Sequence, residues 1–177
     1  MSATETDTAQ AAQQKGANEM SKLDVRIVIL EPMRVASFYG FGQSPEEAAW
    51  NRLIAWAKPK GLRDDPKRHR IFGFNNPDPS PGSPNYGYEF WIAVGSDVQP
   101  EGEMEIKDFP GGLYAVTRCL VLDKPYETIP ATWKKLVEWC ESSRYKQATY
   151  QWLEEHLDVE NGSEGDFDLD LYLPIAE

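Results

Sequence analysis

The sequence predicts an α+β fold made of two copies of one strand–strand–helix–strand–strand unit. Three observations lead there. The phrase Trp50-Asn51-Arg52-Leu53-Ile54-Ala55-Trp56 returns as Trp133-Lys134-Lys135-Leu136-Val137-Glu138-Trp139. In each copy the apolar positions fall at helical spacing, Trp50, Leu53, Ile54 and Ala57 in one and Trp133, Leu136, Val137 and Cys140 in the other, which places them on one face of a helix. Finally, two strand-like runs precede each helix and two follow it, so repeat 1 covers about residues 22–95 and repeat 2 about residues 103–177.

Residues 1–20 contain no Ile, Leu, Val or aromatic residue, and residues 1–21 read as a disordered tail because they cannot bury enough apolar surface to offset ordering entropy. Leu23, Val25, Ile27 and Ile29 alternate with other residues in a first strand, and Glu31-Pro32 turns into a second strand over Met33–Phe41. Ser44, Pro45, Glu46 and Glu47 read as a helix start, with Ser44 as N-cap, proline in the first turn and acids at the positive end of the helix. Pro59 and Gly61 end that helix. A short strand over Arg70–Asn75 leads to a loop with four prolines between Asn76 and Pro84. The next run, Tyr86–Val94, is apolar at nearly every position and so reads as a central strand.

The second copy keeps the order. Met104–Phe109 and Leu113–Arg118 are its first strands, with Gly111-Gly112 as a hairpin turn between them. Pro125–Ser142 is the helix region, whose regular part Pro130 is expected to delay. Tyr145–Leu157 is the segment where signals conflict, because propensity favours helix for Gln151–Leu157 while the repeat sets it opposite the Ile71–Phe74 strand. The repeat decides for a strand. Val159–Gly165 reads as an acidic loop and Phe167–Ile175 as the closing strand.

Composition narrows the function. With 18 Lys and Arg against 29 Asp and Glu the net charge is −11, a field that repels phosphate and argues against direct nucleic-acid binding. The one basic cluster, Lys67-Arg68-His69-Arg70, lies beside Asp64 and Asp65 and reads as a solvated loop rather than a phosphate site. No secretory segment or long apolar run is found, so a cytoplasmic protein without membrane attachment is expected. Two cysteines and two histidines without ligand spacing give no metal signal, and no cofactor motif is present.

What remains is acids among aromatics. Aligning the closing strands sets Glu89 opposite Asp170 and Trp91 opposite Tyr172, and residues two apart on a strand share a face. An acid and an aromatic on one face suit a flat, cationic amphipathic molecule, through stacking, cation–π contact and a counter-charge. If Gln151–Leu157 is a strand, Trp152, Glu154 and His156 share one face while Glu155 points with Leu153 towards the core, where an acid is costly unless paired. Tyr114, Phe72, Phe74, Trp50 and Trp133 are candidates for lining a cavity between the helices and the sheet, or for simple core packing.

Glu31-Pro32-Met33-Arg34-Val35-Ala36, Phe109-Pro110-Gly111-Gly112-Leu113-Tyr114-Ala115-Val116 and Asp170-Leu171-Tyr172-Leu173-Pro174-Ile175, together with the repeat, resemble the GyrI-like, or bacterial-activator effector-binding, domain over about residues 22–177. The resemblance implies duplicated βαββ units in one antiparallel sheet, two long helices, and a cleft between the halves that binds amphipathic small molecules. It implies a stand-alone member. The family's ligand-binding acid matches Asp170, whose shorter side chain shifts the expected polarising acid to Glu89 or Glu155. Trp91, Tyr114, Trp152, Glu154, His156, Tyr172 and Phe72 are expected to complete the ligand site. Some stand-alone relatives share Phe72–Pro77 and Trp152–His156 and hydrolyse the cyclopropane ring of DNA-alkylating compounds, so such hydrolysis is one expected activity. A protein-binding modulator of a DNA-handling enzyme, acting through an acidic surface, is the alternative, and a homodimer is left open.

Overall fold

The computed structural model describes residues 22–157 and 167–177. The tail over 1–21 and the expected acidic loop over 159–165 lie outside them. The described strands are β1 (Arg26–Leu30), β2 (Met33–Gly42), β3 (Ile71–Asn75), β4 (Tyr86–Ala93), β5 (Glu105–Phe109), β6 (Gly112–Val121), β7 (Lys146–Gln147), β8 (Leu153–His156) and β9 (Phe167–Ala176), with helices α1 (Pro45–Ala57) and α2 (Pro125–Glu141). All pair antiparallel in the order β1-β6-β9-β8-β3-β4-β2-β5, and β7 adds to β9. Exchanging the halves reverses this order onto itself. An approximate two-fold axis therefore passes between β3 and β8.

The two short connections do not make hairpins. β1 pairs with β6 and β2 with β5, so Glu31-Pro32 and Pro110-Gly111 each carry the chain from one half to the other. Gly111-Gly112 was expected to form a hairpin turn, and its flanking strands instead separate. A two-residue link between the first and seventh strands of the order is possible only because the sheet curls until its ends meet. The two links touch at Gly111, where φ is +75° and a Cβ would lie 2.2 Å from the Leu30 carbonyl oxygen.

Curling gives the sheet an inner and an outer face. Inside lie Leu30, Val35, Phe72, Phe74, Trp91, Phe109, Tyr114, Val116, Leu153 and Tyr172, contributed by both halves. Outside, α1 covers Ala36, Phe38, Phe90 and Ile92 through Ala49 and Leu53, and α2 covers Ala115, Cys119, Leu171 and Leu173 through Leu136 and Cys140. The stripes read from the repeated phrase are thus the buried stripes. β3 and β8, the middle of the sheet, lie between the two helices, which pack on β2 and β4 and on β6 and β9.

Three local expectations differ. Ser44 makes no side-chain cap, although Pro45 opens α1 with Glu46 and Glu47 in the first turn. Pro130 sits inside a helix that is continuous from Pro125. A proline this near the N-terminus removes one bond to a carbonyl beside the exposed Tyr126, and that carbonyl keeps access to water. Finally, Leu153–His156 is a strand despite its helical propensity, because β3 and β9 hydrogen-bond both of its edges.

Candidate functional site

The ten candidate residues divide between the two faces. Phe72, Glu89, Trp91, Tyr114, Glu155, Asp170 and Tyr172 line the inner face, whereas Trp152, Glu154 and His156 lie on the helix side. They form no single site. Trp50 and Trp133 also lie on the helix side, apart from Tyr114, Phe72 and Phe74.

Each inner acid has a cation of the protein. Glu89 accepts from Lys107, from Ser37 at 2.6 Å, from Trp91 Nε1 at 2.7 Å and from Asn76 at 3.1 Å. Burial pushes its carboxyl up, but the donors of Lys107, Ser37, Trp91 and Asn76 outweigh burial and hold it below the ordinary range. Glu155 takes two bonds from Arg70, at 2.7 and 2.8 Å, and one from the Tyr172 hydroxyl. Asp170 takes Arg26 at 2.8 Å and Arg118 at 2.6 Å. Such pairs satisfy buried charge and leave little for a ligand to complete.

Beside Glu89 a groove of about 840 Å³ reaches from the inner face to the α1 side, lined by Ser37, Tyr39, Asn76 and Lys107 together with Phe38, Arg52, Trp56 and Met104 and by the acids Glu101, Glu103 and Glu105. Trp56, Lys107, Ser37 and Asn76 had not been expected there. Lys107 was legible in principle, since it stands two residues from Phe109 on the same strand face.

The helix-side group is built differently. Glu154 Oε2 accepts from Tyr88 at 2.7 Å and Oε1 from Trp133 Nε1 at 3.1 Å. Both donors are neutral. Burial raises the Glu154 pKa, only partly countered by those two bonds, and Glu46 nearby pushes the same way. The residue as a whole is half-buried. Trp152 lies tilted against Trp133 with 5.1 Å between ring centroids, and Trp50 lies 5.2 Å from Phe90 and 6.0 Å from His156. Burial lowers the His156 pKa to about 4, so its imidazole is neutral at pH 7. The result is an aromatic furrow between α1 and α2, with Trp50, Trp133, Trp152 and Tyr88 around the Glu154 carboxyl; the Arg63 guanidinium lies over the Trp50 ring at 5.5 Å, and among the described residues no cation pairs with that carboxyl.

The two-fold explains why there is one such acid. Phe74 pairs with Glu89 as Glu155 pairs with Asp170, which makes Gly73 the equivalent of Glu154. A Cβ at Gly73 would lie 2.3 Å from the Tyr88 hydroxyl oxygen. The missing side chain leaves the space from which Tyr88 reaches Glu154.

A curled antiparallel sheet with two helices, a repeated half and an aromatic furrow defines a small-molecule-binding class. The profile of the GyrI-like small molecule binding domain matches residues 23–176, and the chain belongs to that family. Among solved structures, the fold is similar to EcmrR in its complex with DNA (TM-score 0.66, 15% identity), covering 97% of this chain and 64% of that one. The isolated EcmrR C-terminal domain is covered almost entirely, with TM-score 0.60, 16% identity, and 88% and 98% of the two chains. A hydrolase from Listeria innocua is similar over 92% of this chain and 98% of its own, with TM-score 0.60 and 11% identity. Comparison with curated proteins finds no match. Among the described residues no group of side chains could hold a metal ion, and no helix is long and apolar enough to cross a membrane.

Proposed function

We propose that this chain binds a cationic aromatic small molecule in the furrow between α1 and α2, with Glu154 as its counter-charge. One observation carries the reading. Of the five acids in β4, β8 and β9, Glu89, Glu155, Asp168 and Asp170 have basic partners, and among the described residues Glu154 is met by Tyr88 and Trp133 alone. A desolvated carboxylate without a cation is unstable by itself, and a ligand that supplies the positive charge gains what the protein lacks. Trp50, Trp133 and Trp152 provide the faces for stacking and cation–π contact. Glu89 and Glu155, the acids expected from the sequence, are better read as inner-face ion pairs.

A titration with the cationic dye rhodamine 6G against parent, Glu154→Gln and Glu89→Gln tests this. Glu154→Gln should weaken binding about tenfold or more, the loss of roughly 1.4 kcal/mol, while Glu89→Gln leaves it nearly unchanged. The reverse ranking would move the site to the groove beside Glu89, and equal affinity in all three would remove both acids from recognition.

Hydrolysis of a cyclopropane-bearing alkylator is the chemistry that the same furrow supports. Water would attack the ring methylene and give up one proton, and the strained C–C bond would break. Its electron pair would pass to the conjugated carbonyl oxygen, which takes up one proton, so that one water is added in all. A carboxyl whose pKa is raised towards the working pH suits that proton transfer. Mass spectrometry after incubation should find one added water per alkylator, with the product abolished in Glu154→Gln; unchanged compound would leave a binder only. The charge of −11 and the exposed Glu101, Glu103 and Glu105 support the second reading, an acidic modulator docking on a basic protein. It requires a pull-down that weakens steeply with salt.

A further inference from the structure

Glu154 has a companion at one end of the furrow. Tyr86 and Tyr88 stand two residues apart on β4, so their side chains leave the same face of the sheet with origins roughly 7 Å apart. Each hydroxyl is bonded to one carboxylate. Tyr88 donates to Glu154 at 2.7 Å, and Tyr86 donates to Glu46, in the first turn of α1, with 2.7 and 2.9 Å to its two oxygens. Glu46 is half-buried, and among the described residues no cation pairs with it. The two acids sense each other, for Glu46 adds to burial in raising the Glu154 pKa. Tyr126, exposed in the first turn of α2, stands close enough to add to burial and Glu46 in raising the Tyr86 pKa.

The two ends of the furrow differ. Where β3 begins and β8 ends, Arg63, Lys67, His69 and Arg70 line a pocket of about 420 Å³ together with Glu155 and His156, and the Arg63 guanidinium lies over the Trp50 ring. Tyr86 and Glu46 lie past the other end of β3, because Tyr88 already pairs with Asn75. A ligand with one positive centre on Glu154 leaves Glu46 unmatched. A second positive centre towards the start of α1 matches both acids, whereas one on the opposite side would meet a guanidinium.

Resting on the reading of the furrow as a cation site, we propose that it selects planar aromatic dications whose positive centres lie roughly 7 Å apart, one on Glu154 and the other on Glu46. The flat body between the charges runs along Tyr86, Tyr88 and Trp133, whose rings supply stacking and cation–π contact. A rigid conjugated spacer holds the two charges at the needed separation, while a flexible diamine would lose conformational freedom on binding. Glu46 thereby sets specificity: a monocation uses Glu154 alone, and only a dication uses both acids.

The test is calorimetric titration of the full chain at constant ionic strength with two molecules of one shape. Methyl viologen carries a charged nitrogen in each ring, and N-methyl-4-phenylpyridinium in one ring only. Methyl viologen should bind the parent about tenfold more tightly. Glu46→Gln should remove that preference and leave N-methyl-4-phenylpyridinium nearly unchanged, and Tyr86→Phe, which removes the hydroxyl that positions Glu46, should reduce the preference in the same selective way. Glu154→Gln should weaken both. Equal affinity of the two molecules for the parent, or a preference kept in Glu46→Gln with its circular dichroism intact, would overturn the role of Glu46 while Glu154→Gln still showed the furrow to bind cations. No binding of either molecule, or affinities unmoved by Glu154→Gln, would overturn the reading of the furrow and this inference with it.

Discussion

Glu154 and His156 are two residues apart on one strand face and respond to pH in opposite senses. Glu154 is an acid with its folded pKa raised above the ordinary 4.5. The folded state therefore prefers the proton, and stability is full below pH 4.5 and lost as pH rises through the raised value. Glu154→Gln should leave the melting temperature at pH 4 near that of the parent and raise it at pH 7, as scanning calorimetry would record. Failure to stabilise at pH 7 would mean that the carboxylate is not an uncompensated charge. His156 has a folded pKa near 4 against 6.5 unfolded, so its contribution is complete above 6.5 and is lost as pH falls towards 4. The shift corresponds to about 3 kcal/mol. His156→Phe, a swap that suits its cage of Trp50, Phe90 and Phe167, should flatten the loss of stability between pH 6.5 and 4. An unchanged acid limb in urea titrations would exclude His156 as its source. Glu89, held below the ordinary range, loses its contribution only at lower pH.

At the scale of elements, β3 and β8 set the site. The period-two alternation of Leu153-Glu154-Glu155-His156 sends Glu154 to the helices and Glu155 to the inner face, which is why adjacent glutamates meet such different partners. The alternation was legible in the sequence once the repeat outweighed helical propensity. The partners were not, because Arg70, Tyr172, Tyr88 and Trp133 reach them from distant parts of the chain. Gly73 and Tyr88 make the element-scale prediction. Gly73→Ala must push the Tyr88 ring off Glu154, and we expect a cost of roughly 1–3 kcal/mol by overpacking together with weakened rhodamine 6G binding. A variant that keeps both stability and affinity would show that Tyr88 does not position the acid.

Across the whole molecule, the halves are exchanged at their first strands. β1 belongs to the first half by sequence and pairs in the second, and β5 does the converse. The inner core likewise mixes Leu30, Val35, Phe72 and Trp91 with Phe109, Tyr114, Leu153 and Tyr172. Neither half can close its own sheet. Fragments 22–99 and 100–177 should each lack native near-ultraviolet dichroism and cooperative melting, and mixing them should restore both. Independent folding of either fragment would contradict the exchange as a requirement for stability.

The sequence by itself determined the repeat, the helical stripes, the alternation that sorts side chains between two faces, and the acid-and-aromatic character of the protein. These are local or periodic properties, carried by neighbours within a turn or a strand. Only the tertiary structure decided which acid lacks a cation, that the short Pro-containing links cross between halves instead of folding back, and that the basic run closes a pocket. Those depend on strand pairing and curl. They bring Lys107 to Glu89, Arg70 to Glu155 and two arginines to Asp170, and among the described residues they leave Glu154 with neutral donors alone.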